Sequence, residues 1–339
     1  MRRLPVRSLL ARPWPVLARP CWLLASLPVI AGAAAQPLPA AAAPATMAPR
    51  VAAAPAATSP AGAPACDGHD AAQLVGRVPA ELEELSGLAA SRRHPGIFWA
   101  HNDSDNTLVL HAMRPDGTIV ASFPLRGVIA RDPEDIAVGP CAQGDARSCI
   151  YLGDVGDNGR RRAQVAILKL PEPAQLRSGP ITAEVMPFRY ADGGRNVEAL
   201  VVDPRTARLF VITKTLVSLG DVYRLDGLGT RGGGRAVRVR QLRAARDFDS
   251  YTTAADVHPR GDRMLLRTYG RVWELRSPGA RAFEDVLEAQ PVEVPGASQP
   301  QAEAIAYDGD GLGYLLGSES AGSAIYHVAC RAAAGSARR

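Results

Sequence analysis

A short segment recurs five times along the chain, and this repeat restricts the fold more than any other feature. Its copies are residues 85–89 (LSGLA), 133–137 (PEDIA), 197–201 (VEALV), 252–256 (TTAAD) and 302–306 (AEAIA). The second residues of successive copies are separated by 48, 64, 55 and 50 positions. Repeats of this length in a chain of short β segments are typical of β-propeller blades.

Further β segments follow each copy, with period-two patterning and Gly, Pro, Asp or Asn turns between them. Three follow the third copy (208–213, 222–225 and 236–240), but only two follow the fifth (313–317 and 324–328). An extra segment, 73–78, precedes the first copy. A closed ring leaves no exposed strand edge. We therefore predict an all-β fold, a single β-propeller over residues 66–330. It has five four-stranded blades, or six if one is degenerate, and the N-terminal strand completes the last blade.

The first 65 residues are expected to lie outside this domain. Residues 1–35 contain five arginines, an apolar run at 22–30 and small residues up to Ala35, which predicts a cleaved signal peptide. A retained N-terminal anchor is the alternative. Residues 36–65 are nearly all Ala, Pro, Thr, Ser and Gly, as in a disordered linker, and 331–339 is expected to be a flexible tail. The predicted location is periplasmic or secreted, with no membrane span after cleavage.

Charge and motif patterns exclude two classes of partner. The chain carries a net charge of +5, and five arginines lie in the predicted signal peptide, so the remainder has no net charge. A nucleic-acid partner, which needs a clustered basic surface, is therefore not expected. Gly227, Gly229 and Gly232 match a dinucleotide motif, but they join two β segments and precede no helix. We therefore expect no nucleotide cofactor.

Four cysteines follow the predicted cleavage site, and an even number in an exported chain predicts disulfides. Cys141 and Cys149 flank a polar loop, whereas Cys66 and Cys330 flank the whole domain, so we predict the pairs Cys66–Cys330 and Cys141–Cys149. A metal site is the alternative, but the chain has no C-x-x-C spacing to support it.

Acidic residues recur at equivalent places in the repeat. In a four-stranded antiparallel blade, the turn before the first strand and the turn after the second lie at the same end. The acidic and polar residues in these turns include Ser104, Asp135, Asp247 and Asp249, and the predicted metal ligands among them are Glu134, Glu198, Glu303, Asp103, Asp154, Asp157 and Glu319. Carboxylate oxygens suit Ca²⁺. The alternative is structural, since Asp in turns caps backbone groups and a repeated Glu can bind the amides of the next blade.

Several of these stretches also carry a resemblance to known proteins. They are residues 101–104 (HNDS), 134–137 (EDIA), 151–158 (YLGDVGDN), 198–200 (EAL) and 301–305 (QAEAI). Over about residues 85–328 the chain resembles secreted bacterial β-propellers of largely uncharacterised function. It is more distantly similar to the phytase-like esterase propellers, and this similarity implies calcium binding and hydrolysis of ester or phosphoester bonds. A polyphosphorylated substrate would require a dense cluster of basic side chains, whereas the candidate turns carry only Lys214.

Two function classes follow from these observations. One is a metal-assisted hydrolase in which bound Ca²⁺ polarises an ester or phosphoester oxygen. The other is a non-catalytic module that uses the same end of the propeller to bind a small molecule, a glycan or a partner protein. The sequence assigns no catalytic residue.

Overall fold

The computed structural model describes residues 66–103, 108–244 and 251–332. The predicted signal peptide (1–35) and linker (36–65) lie outside the described residues, as do residues 333–339 of the predicted tail. Ser104, Asp247 and Asp249 lie outside them as well. Among the described residues, no helix is both long enough and apolar enough to cross a membrane.

The described part of the chain is built almost entirely of β-strands. They are β1 (Cys66–His69), β2 (Gln73–Arg77), β3 (Leu85–Ala90), β4 (Phe98–Asn102), β5 (Val109–Met113), β6 (Ile119–Arg126), β7 (Pro133–Pro140), β8 (Ser148–Asp154), β9 (Val165–Pro171), β10 (Ile181–Thr182), β11 (Glu184–Tyr190), β12 (Val197–Val202), β13 (Leu209–Thr213), β14 (Gly220–Asp226), β15 (Gly234–Leu242), β16 (Thr252–Val257), β17 (Arg263–Thr268), β18 (Val272–Arg276), β19 (Val292–Val294), β20 (Ala304–Tyr307), β21 (Gly313–Gly317) and β22 (Ala324–Ala332). The helical elements of these residues are a 3₁₀ turn (Ala80–Leu82) and one short helix, α1 (Phe283–Leu287). The predicted all-β class is confirmed.

The strands form four hydrogen-bonded sheets, in which most pairs are antiparallel and β10 pairs with β6 in parallel. The sheets follow the orders β10-β6-β5-β4-β3, β16-β17-β18-β19 and β1-β22-β21-β20, with β2 also paired to β22. The fourth sheet has eight strands in the order β12-β13-β14-β15-β11-β9-β8-β7. It consists of two antiparallel units, joined where β11 and β15 pair in parallel. Each repeat copy therefore begins an up-and-down unit of its own.

The first strands of these units pack around a common centre. β3 contacts β7, β7 contacts β12, β12 contacts β16, β16 contacts β20, and β20 contacts β3. Every residue of β3, β12, β16 and β20 is buried, because a neighbouring unit covers each side of the strand. The packing is tight enough at Gly87 that a Cβ there would lie 2.5 Å from His101 Nε2. The sheets therefore radiate from a crowded centre, as in β-propellers.

Buried polar side chains tie the inner strands to one another. The fully buried Asp135 carboxylate accepts hydrogen bonds from the amides of Ile136 (2.8 Å), Leu200 (2.8 Å) and Ala255 (3.4 Å), which lie on β7, β12 and β16. The sequence grouped Asp135 with the polar residues of the turns. Its carboxyl group is instead a structural acceptor that joins three strands, and the backbone donors partly offset the burial that raises its pKa well above the usual range.

The two ends of the described chain meet in one sheet. β2 pairs antiparallel with β22, from Gln73 opposite His327 to Arg77 opposite Ala324, and β1 pairs with the end of β22. A disulfide joins Cys66 to Cys330, with the Cα atoms 5.5 Å apart. A second joins Cys141 to Cys149, with the Cα atoms 4.8 Å apart. The predicted disulfides are present, and they indicate an oxidising, extracytoplasmic environment.

The two disulfides should differ in their contribution to stability. Cys66 and Cys330 are 264 positions apart, and Cys141 and Cys149 are 8 apart. In the loop-entropy model the long closure contributes about 5 kcal/mol and the short one about 2.5 kcal/mol. We expect replacement of Cys66 and Cys330 by Ser to lower the free energy of unfolding about twice as much as replacement of Cys141 and Cys149, as measured by denaturant titration. Equal losses would contradict this account.

The pairing of β2 with β22 also makes a prediction. Removal of residues 66–80 deletes β1 and β2 and leaves β22 with an unpaired edge, so the variant should aggregate, which light scattering can detect. Removal of residues 36–60 is the matched control and should leave the protein monodisperse. If both truncations behave alike, the N-terminal strands do not protect this edge.

Candidate functional site

β-Bulges at the start of the inner strands place the repeat residues at one end of the structure. The pairing of β7 with β8 skips Glu134, and the pairing of β12 with β13 skips Glu198. Ser86 and Thr253 are skipped in the same way, and Glu303 directly precedes β20. A bulge leaves one residue out of the ladder and redirects its side chain. The bulges at Glu134 and Glu198 and the position of Glu303 before β20 therefore leave all three glutamates outside the ladders at this end, which we call the mouth.

Three carboxylates approach one another at the mouth. Asp103, Asp132 and Glu134, the carboxylate trio, offer oxygen atoms that all lie within 4.8 Å of one another. A Cβ on Gly156 would lie 2.1 Å from Glu134 Oε1 and 2.5 Å from Asp132 Cγ, so only glycine leaves room for the trio. Asp103 Oδ1 is buried and has no hydrogen-bond partner in the described part of the chain. The trio is thus an acceptor-rich group in need of a cation or of protons.

The electrostatics of the trio reflect this crowding. Burial raises the pKa of Asp103 to about 7, and the carboxylates of Asp132, Glu198 and Glu319 add to this effect. Burial also raises the pKa of Asp132, although Arg162 opposes the shift. The pKa of Glu134 lies well above its usual range because the side chain is buried and faces Glu198 and Asp103. The trio therefore holds protons near neutral pH unless a cation replaces them.

The other two glutamates surround a lysine. Lys214 Nζ lies 3.1 Å from Glu198 Oε2 and donates a 2.9 Å hydrogen bond to the Tyr269 hydroxyl. Asn196 Nδ2 donates to Glu198 Oε1 over 2.9 Å. Burial raises the pKa of Glu303 to about 7 against the opposing charge of Lys214, and the Tyr269 hydroxyl is its hydrogen-bond partner. We call Glu198, Lys214, Tyr269 and Glu303 the lysine group.

A shared proton connects the carboxylate trio with the lysine group. Glu134 and Glu198 are hydrogen-bonded side chain to side chain, an interaction that raises the pKa of Glu134 and opposes the rise at Glu198. Since Lys214 stabilises the charged form of Glu198, the pair favours holding a single proton between them. A cation bound to the trio would compete with this proton.

The remaining predicted ligands have other partners. Asp154 Oδ1 accepts the amides of Arg131 (3.2 Å) and Asp132 (3.0 Å) and pairs with Arg162 at 2.9 Å. Asp157 accepts the amides of Arg161 (2.9 Å) and Arg162 (2.7 Å). The Glu319 carboxylate accepts a hydrogen bond from the side chain of Gln301. The structure thus places Asp103 and Glu134 in one group and Glu198 and Glu303 in another, with Asp154 and Asp157 engaged in shaping the loops.

Sequence reasoning missed Asp132. A signal was available, because Asp132 lies two residues before Glu134, in the same turn before the inner strand in which the other candidates were sought. The sequence places Lys214 in one of the candidate turns. Its pairing with Glu198 depends on three-dimensional packing and cannot be predicted from the spacing of residues.

Comparisons with known proteins add little. No family model matches the sequence, and no curated protein matches it. Among solved structures, a PQQ-bound aldose sugar dehydrogenase from Streptomyces coelicolor aligns with 15% identity and a TM-score of 0.43, over 79% of this chain and 99% of its own. The Dos1 propeller aligns with 13% identity and a TM-score of 0.35, over 69% of this chain and 55% of its own. Both are β-propeller proteins. At these values we draw no inference from either likeness.

The raised pKa values predict how stability depends on pH. The pKa of Asp103 rises from 3.8 to about 7 on folding, so its contribution to stability is complete below pH about 4 and is lost as the pH rises through about 7. The melting temperature of the metal-free protein should therefore fall between pH about 4 and about 7. Asp103→Asn should flatten this slope, whereas Asp116→Asn, at a fully exposed turn, should not. An Asp103→Asn slope as steep as the wild-type one would contradict this origin of the pH dependence.

Proposed function

We propose that this protein is an exported β-propeller of five four-stranded blades that binds a divalent cation at its mouth. β2 completes the last blade, and the location is periplasmic or secreted. Calcium is the best-suited ion, and the proposed activity is metal-assisted hydrolysis of an ester or phosphoester. Five antiparallel units around one centre, the pairing of β2 with β22 and the two disulfides support the architecture and the compartment.

The observation that carries the cation proposal is the carboxylate trio. Three carboxylates have oxygen atoms within 4.8 Å of one another, and Asp103 Oδ1 is buried without a hydrogen-bond partner among the described residues. All the donors are oxygens, as calcium and magnesium prefer, and no thiol or imidazole belongs to the trio. Calcium takes six to eight oxygen ligands, so three side chains leave positions for backbone carbonyls, water or a substrate.

The proposed chemistry divides between the trio and the lysine group. The cation, when bound by Asp103, Asp132 and Glu134, supplies a positive charge that polarises an ester or phosphoryl oxygen. On the other side, Glu303 has a pKa of about 7 and a hydrogen bond to Tyr269, so it is suited to give or accept a proton near neutral pH. Lys214 is already bonded to Glu198 and Tyr269, which disfavours a heavily phosphorylated substrate.

A second candidate function is non-catalytic binding of a glycan, a small molecule or a protein. The observation that favours it is a pair of partly exposed aromatic rings, Tyr251 and Tyr269, whose centroids are 6.5 Å apart. Tyr269 also contacts Lys214, which links the pair to the mouth. Aromatic faces next to hydrogen-bonding groups are common in binding surfaces.

Calcium should stabilise the protein, since a ligand that binds only the folded state raises its stability by mass action. We expect millimolar CaCl₂ to raise the melting temperature at neutral pH. Asp132→Asn should abolish most of the rise, because it removes one of three ligands. Glu319→Gln is the matched control, because its carboxylate is bound by Gln301 outside the trio, and it should retain the rise. The absence of a rise in the wild type, or an equal rise in Asp132→Asn, would contradict a cation site at the trio.

An activity assay separates the two candidate functions. With calcium present we expect hydrolysis of at least one member of a panel of nitrophenyl esters, phosphomonoesters and phosphodiesters. The activity should disappear with EDTA and in Asp132→Asn, and persist in Glu319→Gln. If no member is hydrolysed while calcium still raises the melting temperature, the hydrolase proposal fails and the binding module is retained.

A further inference from the structure

Lys214 occupies an unusual position for this chain. Of 39 basic Lys and Arg residues only Lys169 and Lys214 are lysines. Lys169 is half-buried on β9, whereas the side chain of Lys214 is only 16% exposed and lies among the carboxylates of the mouth. A lysine ammonium is a compact point charge with three donors, in contrast to the broad planar guanidinium of arginine. The cation that pairs with Glu198 is therefore of the type that most resembles an inorganic ion in size.

The Lys214 ammonium contacts oxygen atoms, as a bound metal ion would. Its partners are a carboxylate oxygen of Glu198 at 3.1 Å and the hydroxyl oxygen of Tyr269 at 2.9 Å. Glu303 contributes a further negative charge close by. Burial opposes the charged form of Lys214, but Glu198 and Tyr269 outweigh it and raise its pKa above the usual value. The ammonium is thus charged throughout the physiological pH range.

The two halves of the mouth differ in the charge that lies next to their carboxylates. Glu198 and Glu303 have the charge of Lys214 between them, whereas the interactions of Asp103 and Glu134 are dominated by burial and by other carboxylates. An internal cation next to one half disfavours a second cation there by charge repulsion and by occupying the oxygens. At the opposite half the nearby cation is Arg162, which pairs with Asp154 at 2.9 Å and only opposes the rise in the pKa of Asp132.

We propose that Lys214 is a built-in counter-ion that fills a latent second cation site. It restricts the mouth to one divalent ion, at the carboxylate trio, and its removal opens a site at Glu198, Tyr269 and Glu303. This inference deepens the proposed function and rests on it for the first ion only, because the second site is judged by a difference between variants.

Calcium stoichiometry tests the proposal. Equilibrium dialysis should give one calcium ion per chain for the wild type and two for Lys214→Met, which keeps the length of the side chain and removes the charge. Lys169→Met removes a charge on β9 and should still bind one. If Lys214→Met binds no more calcium than the wild type, the inference is overturned. If the wild type binds none, the proposed function fails, and the inference then stands or falls on whether Lys214→Met gains one ion.

A spectroscopic readout places the second ion. Terbium bound where the ammonium lay would be next to Tyr269, whose excited ring transfers energy to the ion. Lys214→Met should therefore show stronger tyrosine-sensitised terbium emission than the wild type, and the additional Tyr269→Phe change should abolish the increase. An increase that survives Tyr269→Phe would overturn the placement.

Folding of the variant is controlled in the same experiment. Without a cation Lys214→Met removes the positive charge next to Glu198 and Glu303, so its melting temperature in EDTA should be lower than that of the wild type and should recover with calcium. The double variant Lys214→Met with Glu198→Gln removes both charges and should keep the wild-type stoichiometry. A second ion in this double variant would show that Glu198 is no ligand and overturn the proposal.

Discussion

The bulge that opens the inner strands determines what can happen at the mouth. Inner strands covered on both sides are tightly packed, and at Gly87 not even a Cβ atom fits beside His101. The extra residue of the bulge is released from that restriction, and in β7 and β12 it is a glutamate. Directly after the bulge in β7, the Asp135 carboxyl group accepts hydrogen bonds from amides of β7, β12 and β16 and holds these strands together. The start of β7 therefore supplies both Asp135, which holds three strands together, and Glu134, which belongs to the carboxylate trio.

The inner strands bring many carboxylates together at the mouth, and these carboxylates are stabilised in three ways. Asp154 and Asp157 accept backbone amides, as carboxylates do when they cap loops. Glu198 has an ammonium ion as its partner. Glu134 shares a proton with Glu198. After these arrangements Asp103 and Asp132 remain close to Glu134, and Arg162 only opposes the rise in the pKa of Asp132. The trio therefore holds protons that a cation can replace, and this is the physical reason to expect a cation.

Much of the architecture was predictable because it depends on periodicity. The repeat revealed the inner strands, the β patterning revealed the class, and the positions of the cysteines revealed both disulfides. The site was predictable only in part. Spacing places a residue at one end of a strand, but it cannot tell whether a carboxylate such as Asp157 faces the mouth or its own loop. The Lys214–Glu198 pair depends on three-dimensional packing alone.

Anomalous diffraction from crystals soaked in a calcium or lanthanide salt tests the central claim most directly. The account predicts one ion bound by carboxylate oxygens of Asp103, Asp132 and Glu134, at calcium–oxygen distances of about 2.3–2.6 Å, with Lys214 still paired to Glu198. An ion bound instead by Glu198 and Glu303 with Lys214 displaced, or a mouth without any ion under saturating calcium, would contradict it.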